Sequence, residues 1–288
     1  MARNAEPIRA FVVHWNQPEG CAATVAALCA QASPLTVTVL DNDSAAEAYQ
    51  ELRGKIGSNI DIMRLSENKG WGPALNIALR GWLDSEQSRY CLIAAHDASL
   101  APDCISLLVE AMDREARIGI ACPQYSDCVV PRLSVLHGVQ MNVDVAKARG
   151  VVQFIDVPHG TLMLLRRECL DQIGLFDERY FAYGDEHELG ARAVRHGWKV
   201  GLVWGALVTN PETSTPSAWR NYLFARNSLL LVRTCYGRAA TLLRAIVVLI
   251  NTLRPISSQP SSEFISSGKA RLRGVSDYFR GRFGKPTS

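Results

Sequence analysis

The sequence predicts an α/β fold in which a mostly parallel central sheet is flanked by helices and followed by a helical C-terminal extension. Three observations predict it. Apolar runs of strand length alternate with alanine- and leucine-rich helical segments, polar residues directly follow the apolar runs, and from Pro216 onward the pattern is helical up to a basic tail. With 288 residues, 48% of them hydrophobic, the chain has enough apolar material for a substantial core, and disorder throughout is excluded.

Ile8-Arg-Ala-Phe-Val-Val-His-Trp-Asn reads as a buried strand ending in a polar turn, and the alanine-rich stretch from Glu19 to Gln31 as a helix. Leu35-Thr-Val-Thr-Val-Leu is the next strand, with Asp41-Asn-Asp-Ser as its turn. A helix from Ala45 to Leu52, a strand near Ile60 to Leu65, a helix from Gly72 to Leu83 and a strand from Tyr90 to Ala95 follow. Beyond about residue 120 the alternation loosens, and Cys122-Pro-Gln-Tyr and Val129-Val-Pro-Arg read as loops or edge strands. Val157 to Arg166 reads as a strand and Asp185 to His196 as a helix. The expected division is a sheet-bearing domain over residues 1–215 and an extension over 216–288, broken by Ser257-Ser-Gln-Pro-Ser-Ser.

A formal charge of +3 is too slight for a nucleic-acid binder. Eight cysteines without a CxxC pair read as buried reduced thiols. The start, Met1-Ala-Arg-Asn-Ala-Glu-Pro, has no apolar signal region, so the expected location is cytoplasmic. Arg233, Arg238 and Arg244 interrupt the apolar stretch from Leu229 to Leu253, which favours an interfacial or core helix over a membrane span. Together with the tail around Gly268-Lys-Ala-Arg-Leu-Arg-Gly, that stretch suits peripheral attachment to the inner membrane face; packing on the catalytic domain or on a second copy is an equal alternative.

In an open sheet of this kind, ligands bind beyond the carboxyl ends of the strands. Three polar clusters stand there: His14-Trp-Asn, Asp41-Asn-Asp-Ser and Ala95-His-Asp. An acid after the second strand suits a nucleoside and one after a later strand suits a divalent cation, although each residue also suits a simple turn or helix cap. Asn68-Lys-Gly-Trp-Gly-Pro-Ala-Leu-Asn joins a glycine-bearing loop to a helix start, a place that favours anions, but it lacks the GxxxxGK[ST] spacing of a P-loop. His14, His137 and His196 read as structural or solvent-exposed.

Taken in order, Val12-Val-His-Trp-Asn, Val39-Leu-Asp-Asn-Asp-Ser, Asn68-Lys-Gly-Trp-Gly-Pro-Ala-Leu-Asn, Gly160-Thr-Leu-Met-Leu-Leu-Arg-Arg-Glu, Gly174-Leu-Phe-Asp through Glu186-His-Glu-Leu-Gly-Ala-Arg, and Arg226-Asn227 resemble the family-2 glycosyltransferases of GT-A fold, and most closely their rhamnosyltransferase-type members. The resemblance runs from Val12 to about Asn227, with a weaker echo from Tyr278 to Lys285. It implies an inverting enzyme that moves a single sugar, rhamnose as first choice, from a nucleotide-diphosphate donor to a hydroxyl of a glycan or lipid-linked acceptor in envelope polysaccharide synthesis.

Residue by residue, the resemblance implies donor contacts from Asn16, Asp41, Asn68, Gly70 and Arg226. Ala95-His96-Asp97 stands at the Asp-x-Asp metal motif, so Asp97 alone would hold a divalent cation, Mg2+ or Mn2+, and Asn210 replaces a histidine that often completes the site. Asp185-Glu-His-Glu stands at the Glu-Asp-x-Asp motif. Glu186 takes the place of the general base, with Asp185 as runner-up; His159 and Glu188 fall on the acceptor side. Asp185-x-x-Glu188 also fits a helix-capping pattern, and Arg226 also fits an ordinary amphipathic helix. A sugar nucleotidyltransferase is disfavoured because no glycine-rich basic loop follows the first strand; a non-catalytic sugar-nucleotide-binding relative is the other rival.

Overall fold

The computed structural model describes residues 7–85, 88–210, 215–253 and 261–286. The start, 1–6, and most of the serine-rich break, 254–260, lie outside the described residues. In chain order the elements are β1 (Ile8–His14), α1 (Pro18–Cys29), β2 (Leu35–Asp41), α2 (Ala46–Lys55), β3 (Asp61–Arg64), α3 (Trp71–Ser85), β4 (Tyr90–Ala95), β5 (Ser99–Leu100), α4 (Cys104–Arg114), β6 (Ile118–Tyr125), β7 (Val129–Ser134) and β8 (Gly138–Val143). They continue with β9 (Val152–Ile155), β10 (Leu162–Arg166), α5 (Arg167–Ile173), α6 (Asp185–Arg195), β11 (Lys199–Thr209), α7 (Ser217–Leu253) and α8 (Ser261–Phe279).

The main sheet runs β3-β2-β1-β4-β10-β6-β11-β5, with β9 on β11. Both faces are covered, which is why its strands are continuous apolar runs. In β1, Phe11 and Val13 face the core layer shared with Leu75, Leu79 and Trp82 of α3, while Ala10 and Val12 face the layer shared with Cys21, Val25 and Leu28 of α1. Such strands point their carboxyl ends, and the turns after them, to one edge of the sheet.

Only half of the sheet is parallel as expected. β3, β2, β1 and β4 pair in parallel, but β10 enters antiparallel between β4 and β6. The expected strand over Val157 to Arg166 shortens to Leu162–Arg166. Cys122-Pro-Gln-Tyr, expected as loop or edge, belongs to the interior strand β6. Its pairing with β10 is confined to Ile120 and Ala121, so Pro123 lies beyond that ladder and forfeits no bond to it. Val129-Val-Pro-Arg begins β7, which forms a separate two-stranded sheet with β8. Of the cysteines, Cys29 is exposed rather than buried.

Helix α7 breaks at Gly237, whose φ of 85° is left-handed. Its first half packs against the body of the protein. Beyond the break it exposes Leu242, Leu243, Ile246, Leu249, Ile250 and Leu253. By length and composition α7 could cross a membrane, the one such helix among the described residues.

Candidate active site

Three turns meet at the carboxyl edge of the parallel strands. After β1, Asn16 adopts φ 52°; its Oδ1 accepts from the Ala45 amide at 2.8 Å, and its own amide donates to Ser44 Oγ at 3.0 Å. After β2, Asn42 Nδ2 donates to the Gly70 carbonyl at 2.8 Å and to Asn68 Oδ1 at 3.2 Å, and the Lys69 amide donates to Asn42 Oδ1 at 2.9 Å. Asn16 and Asn68 therefore stand at one rim, with Asn16 exposed.

Two predicted donor residues behave differently. Asp41 is 0% exposed, bonded to His14 Nδ1 at 2.8 Å, with Arg64 Nε 3.3 Å from its other oxygen. Burial alone would raise its carboxyl, but the hydrogen bonds from His14 and Ser44 outweigh that and hold it below the usual range. Asp41 thus anchors the rim from beneath instead of presenting its carboxylate to a ligand. At Gly70, φ is 91° and an added Cβ would lie 2.0 Å from the Phe181 carbonyl oxygen; the glycine admits a neighbouring loop where a donor phosphate was expected.

The turn after β4 carries Asp97. Thr24 Oγ1 donates to the carbonyls of His96 at 2.9 Å and Ala98 at 3.0 Å, fixing the turn to α1. Across the sheet the Ala95 amide donates to the Thr161 carbonyl at 2.9 Å, and Thr161 Oγ1 bonds Tyr125 Oη at 2.6 Å and Asn210 Nδ2 at 3.3 Å. Asn210, at the end of β11, is thereby close to the Asp97 turn. No group of three or more His, Cys, Asp or Glu able to hold a metal occurs among the described residues. One carboxylate on a fixed turn fits a hard cation whose remaining ligands are oxygens of a diphosphate and water.

The second acidic cluster begins α6. Its N-cap is Gly184, at φ 103°, and not Asp185. Glu186 reaches back so that Oε2 accepts from the Gly184 amide at 3.0 Å, and its side chain packs where a Cβ on Gly160 would lie 3.4 Å away. Asp185, the runner-up base, is turned the other way: 1% exposed, it accepts from the Gly72 amide at 2.8 Å, at the start of α3. Burial, and then the charge of Glu186, push the Asp185 carboxyl far up. Glu188 does not reach the acceptor side; it is buried in a two-pronged pair with Arg192, whose guanidinium also grips the Ile173 and Leu175 carbonyls.

His159 lines the same cavity as Glu186, donating from Nε2 to the Pro123 carbonyl at 2.7 Å and stacking on Tyr125 with ring centroids 4.1 Å apart. Burial lowers both His159 and His187 to about 4, so both rings are neutral near pH 7. The Tyr125 hydroxyl is pushed up chiefly by burial, and the negative charges of Glu186 and Asp97 each add to the rise. One phenol therefore senses both acids.

The loop before α6 is held by the extension. Asn227 Nδ2 donates to the carbonyls of Tyr180, Ala182 and Tyr183, and Arg226, 0% exposed, donates to Tyr180 at 3.0 Å and to Gly284 in the tail at 2.9 Å. The Gly284 amide returns a bond to the Arg179 carbonyl at 2.8 Å. Arg226, expected at a donor phosphate, is instead spent on backbone carbonyls. Its clamp supports two left-handed non-glycine residues, Phe181 (φ 67°) and Tyr183 (φ 63°).

Beside Glu186 opens a cavity of about 420 Å³ that the sequence did not disclose. Tyr125, His159 and Gly160 form one wall; Val139 and Met141 of β8 with Phe224, Leu231 and Arg244 of α7 form the other. His137, read as structural or exposed, also lines it. No motif announced these residues, because β8 and α7 meet there only through tertiary packing.

Comparison with known proteins adds the family. A family model described as "Glycosyltransferase like family 2" matches residues 5–226. Curated relatives from two strains of Mycobacterium tuberculosis, both named N-acetylglucosaminyl-diphospho-decaprenol L-rhamnosyltransferase, are 27% identical over 197 residues, covering 57% of this chain and 62% of the relative. The chain thus matches less than two thirds of the length of those relatives. Among solved structures, the mannosyltransferase PcManGT from Pyrobaculum calidifontis in complex with GDP-Man and Mn2+ superposes with a TM-score of 0.61 at 14% identity, covering 96% of this chain and 87% of that one. GalNAc-T7 with UDP, GalNAc and Mn2+ gives 0.60 at 11% identity, covering 96% and 56%. At these identities the likeness establishes the GT-A fold.

Proposed function

The chain belongs to glycosyltransferase family 2, and from that premise we propose that it transfers one sugar, with inversion, from a nucleotide-diphosphate donor to a hydroxyl of a glycan or lipid-linked acceptor, Glu186 being the base. The observation that carries this reading is the family match over residues 5–226, supported by Tyr125, whose hydroxyl feels the charges of both Glu186 and Asp97. In the step, Glu186 takes the acceptor hydroxyl proton as that oxygen bonds to the anomeric carbon, and the bond from that carbon to the diphosphate oxygen breaks. A divalent cation held by Asp97, with Asn210 alongside, would supply positive charge for the departing diphosphate. Asn16 and Asn68 line the donor rim, anchored from below by Asp41. The neutral rings of His159 and His187 leave Glu186 without a permanent counter-charge, which suits a carboxylate that must accept a proton.

Rhamnose is the proposed sugar, supported by the name of the M. tuberculosis relatives, which also points to a diphospho-lipid acceptor. A division into a catalytic domain over 1–215 and an extension over 216–288 accompanies this reading. The donor test is a thermal-shift series with nucleoside diphosphates and nucleotide-rhamnose, with and without Mn2+. A stabilisation that needs both nucleotide and Mn2+ in the unmodified protein, and loses its Mn2+ dependence in Asp97→Asn, is expected. A nucleotide shift equally Mn2+-dependent in Asp97→Asn would remove Asp97 from the metal role.

We further place the protein at the cytoplasmic face of an anionic membrane. Residues 216–288 carry twelve Lys and Arg against two Asp and Glu, whereas the remainder of the chain is net acidic. The same extension exposes the apolar stripe from Leu242 to Leu253. Sedimentation with phosphatidylglycerol vesicles at low salt should bring the protein down, and the paired change Leu243→Glu with Ile246→Glu should release it. Retention of the double variant would show that the stripe faces something other than lipid.

A further inference from the structure

One cation in the cavity has no acidic partner among the described residues. Arg244 lines the same space as Glu186, on the turn of α7 that begins the exposed apolar stripe. Its Nε donates to Ser228 Oγ at 3.2 Å and one terminal nitrogen to the Leu136 carbonyl at 2.6 Å, both neutral acceptors. These use two of the five N–H groups of a guanidinium. Burial lowers Arg244 to about 10, and no carboxylate offsets that burial. The side chain is half-buried, and a cation left with neutral partners and unspent N–H groups in a ligand-sized cavity is placed to receive an anion from outside.

The walls narrow the choice of anion. Val139, Met141, Phe224 and Leu231 are apolar, and Glu186 stands in the same cavity. A bare inorganic ion would leave those walls wet. A ligand with an alcohol, a phosphate and a hydrocarbon portion would satisfy Glu186, Arg244 and the apolar wall together, and its hydrocarbon could continue along Leu243 and Ile246. Asp97 does not line this cavity, so a phosphate at Arg244 is not set in the same space as that carboxylate.

We propose that Arg244 is the phosphate-binding residue of the acceptor subsite, receiving the phosphate or diphosphate that joins the acceptor sugar to an isoprenoid-type lipid. The assignment rests on the glycosyltransferase reading for the role of Glu186, and it adds the residue and the cavity that receive the acceptor's phosphate. The donor diphosphate is bound separately, at the Asp97 turn.

The test is calorimetric titration of the full chain in EDTA, which withholds the cation from the donor side, with geranyl diphosphate and inorganic pyrophosphate as probes. Geranyl diphosphate is expected to bind at least tenfold more tightly than pyrophosphate, and Arg244→Gln is expected to weaken it at least tenfold. Arg244→Lys, keeping the charge, should lose less. Should Arg244→Gln fail to fold, Ser228→Asp supplies an internal carboxylate beside the guanidinium and should produce the same loss. Equal binding of pyrophosphate and geranyl diphosphate, both sensitive to Arg244, would retain the anion site but overturn its lipid character. Unchanged geranyl diphosphate affinity in folded Arg244→Gln overturns the proposal, and so does a loss confined to phosphatidylglycerol vesicles, which would assign the cation to bulk lipid headgroups. The nucleotide and Mn2+ thermal shift of Arg244→Gln should match the unmodified protein, so failure here is distinguishable from failure of the donor reading.

Discussion

Glu186→Gln is expected to lower the rate of sugar transfer by about 10²–10⁴-fold, the range for loss of a general base, while leaving the donor-induced thermal shift intact. Gln preserves the shape of the side chain and can still accept from the Gly184 amide, so the start of α6 should keep its geometry. The charge of Glu186 is one of the causes that push Asp185 up, which means that the two carboxylates oppose each other in the native fold. Removing it should leave the melting temperature unchanged or raise it, a separation of activity from stability that simple unfolding cannot imitate. Single-turnover transfer, donor thermal shift and melting temperature in one preparation check all three outcomes. Transfer at the unmodified rate in Glu186→Gln would require a different base.

Arg226→Met should cost about 3 kcal/mol or more in denaturant unfolding, and should lower turnover although Arg226 is fully buried. Two effects add. The Tyr180 and Gly284 carbonyls lose a charged donor in a place water cannot easily reach, and Asn227 loses the Nε–H that orients its own amide at 3.0 Å. The loop from Arg179 to Gly184 then loses part of the clamp that holds Phe181 and Tyr183 left-handed, and Glu186 follows that loop directly. Urea unfolding gives the stability term. A turnover deficit that persists at temperatures where the variant is fully folded isolates the positioning term. An Arg226→Met protein of native stability and full turnover would show that the tail and Asn227 suffice.

What the sequence made legible was local. The strands and helices from Ile8 to Ala95 followed from apolar runs and periodicity, because in a sheet covered on both faces each strand writes its burial into consecutive residues. The polar clusters after β1, β2 and β4 were readable because turns after parallel strands collect at one edge, whereas the cluster at Asp185 was legible only through the family resemblance. The misreadings share a different cause: they concern partners distant in the chain. Asp41 looks like a free acid until His14, 27 positions earlier, is seen bonded to it. Pro123 reads as a breaker because nothing local tells where the β10 ladder ends. Arg226 reads as a phosphate ligand until the Tyr180 and Gly284 carbonyls are found around it, and the cavity at Arg244 exists only where β8 meets α7.

The contact at Gly70 has a consequence for how the protein can be dissected. The Trp71 amide donates to the Phe181 carbonyl at 2.6 Å, so the rim around Asn68 and Gly70 and the loop that leads to Glu186 are riveted main chain to main chain. Truncating side chains one at a time passes over such a rivet, since neither atom belongs to a side chain. It can be disturbed only by adding bulk, at the one residue whose lack of a β-carbon lets the two segments touch.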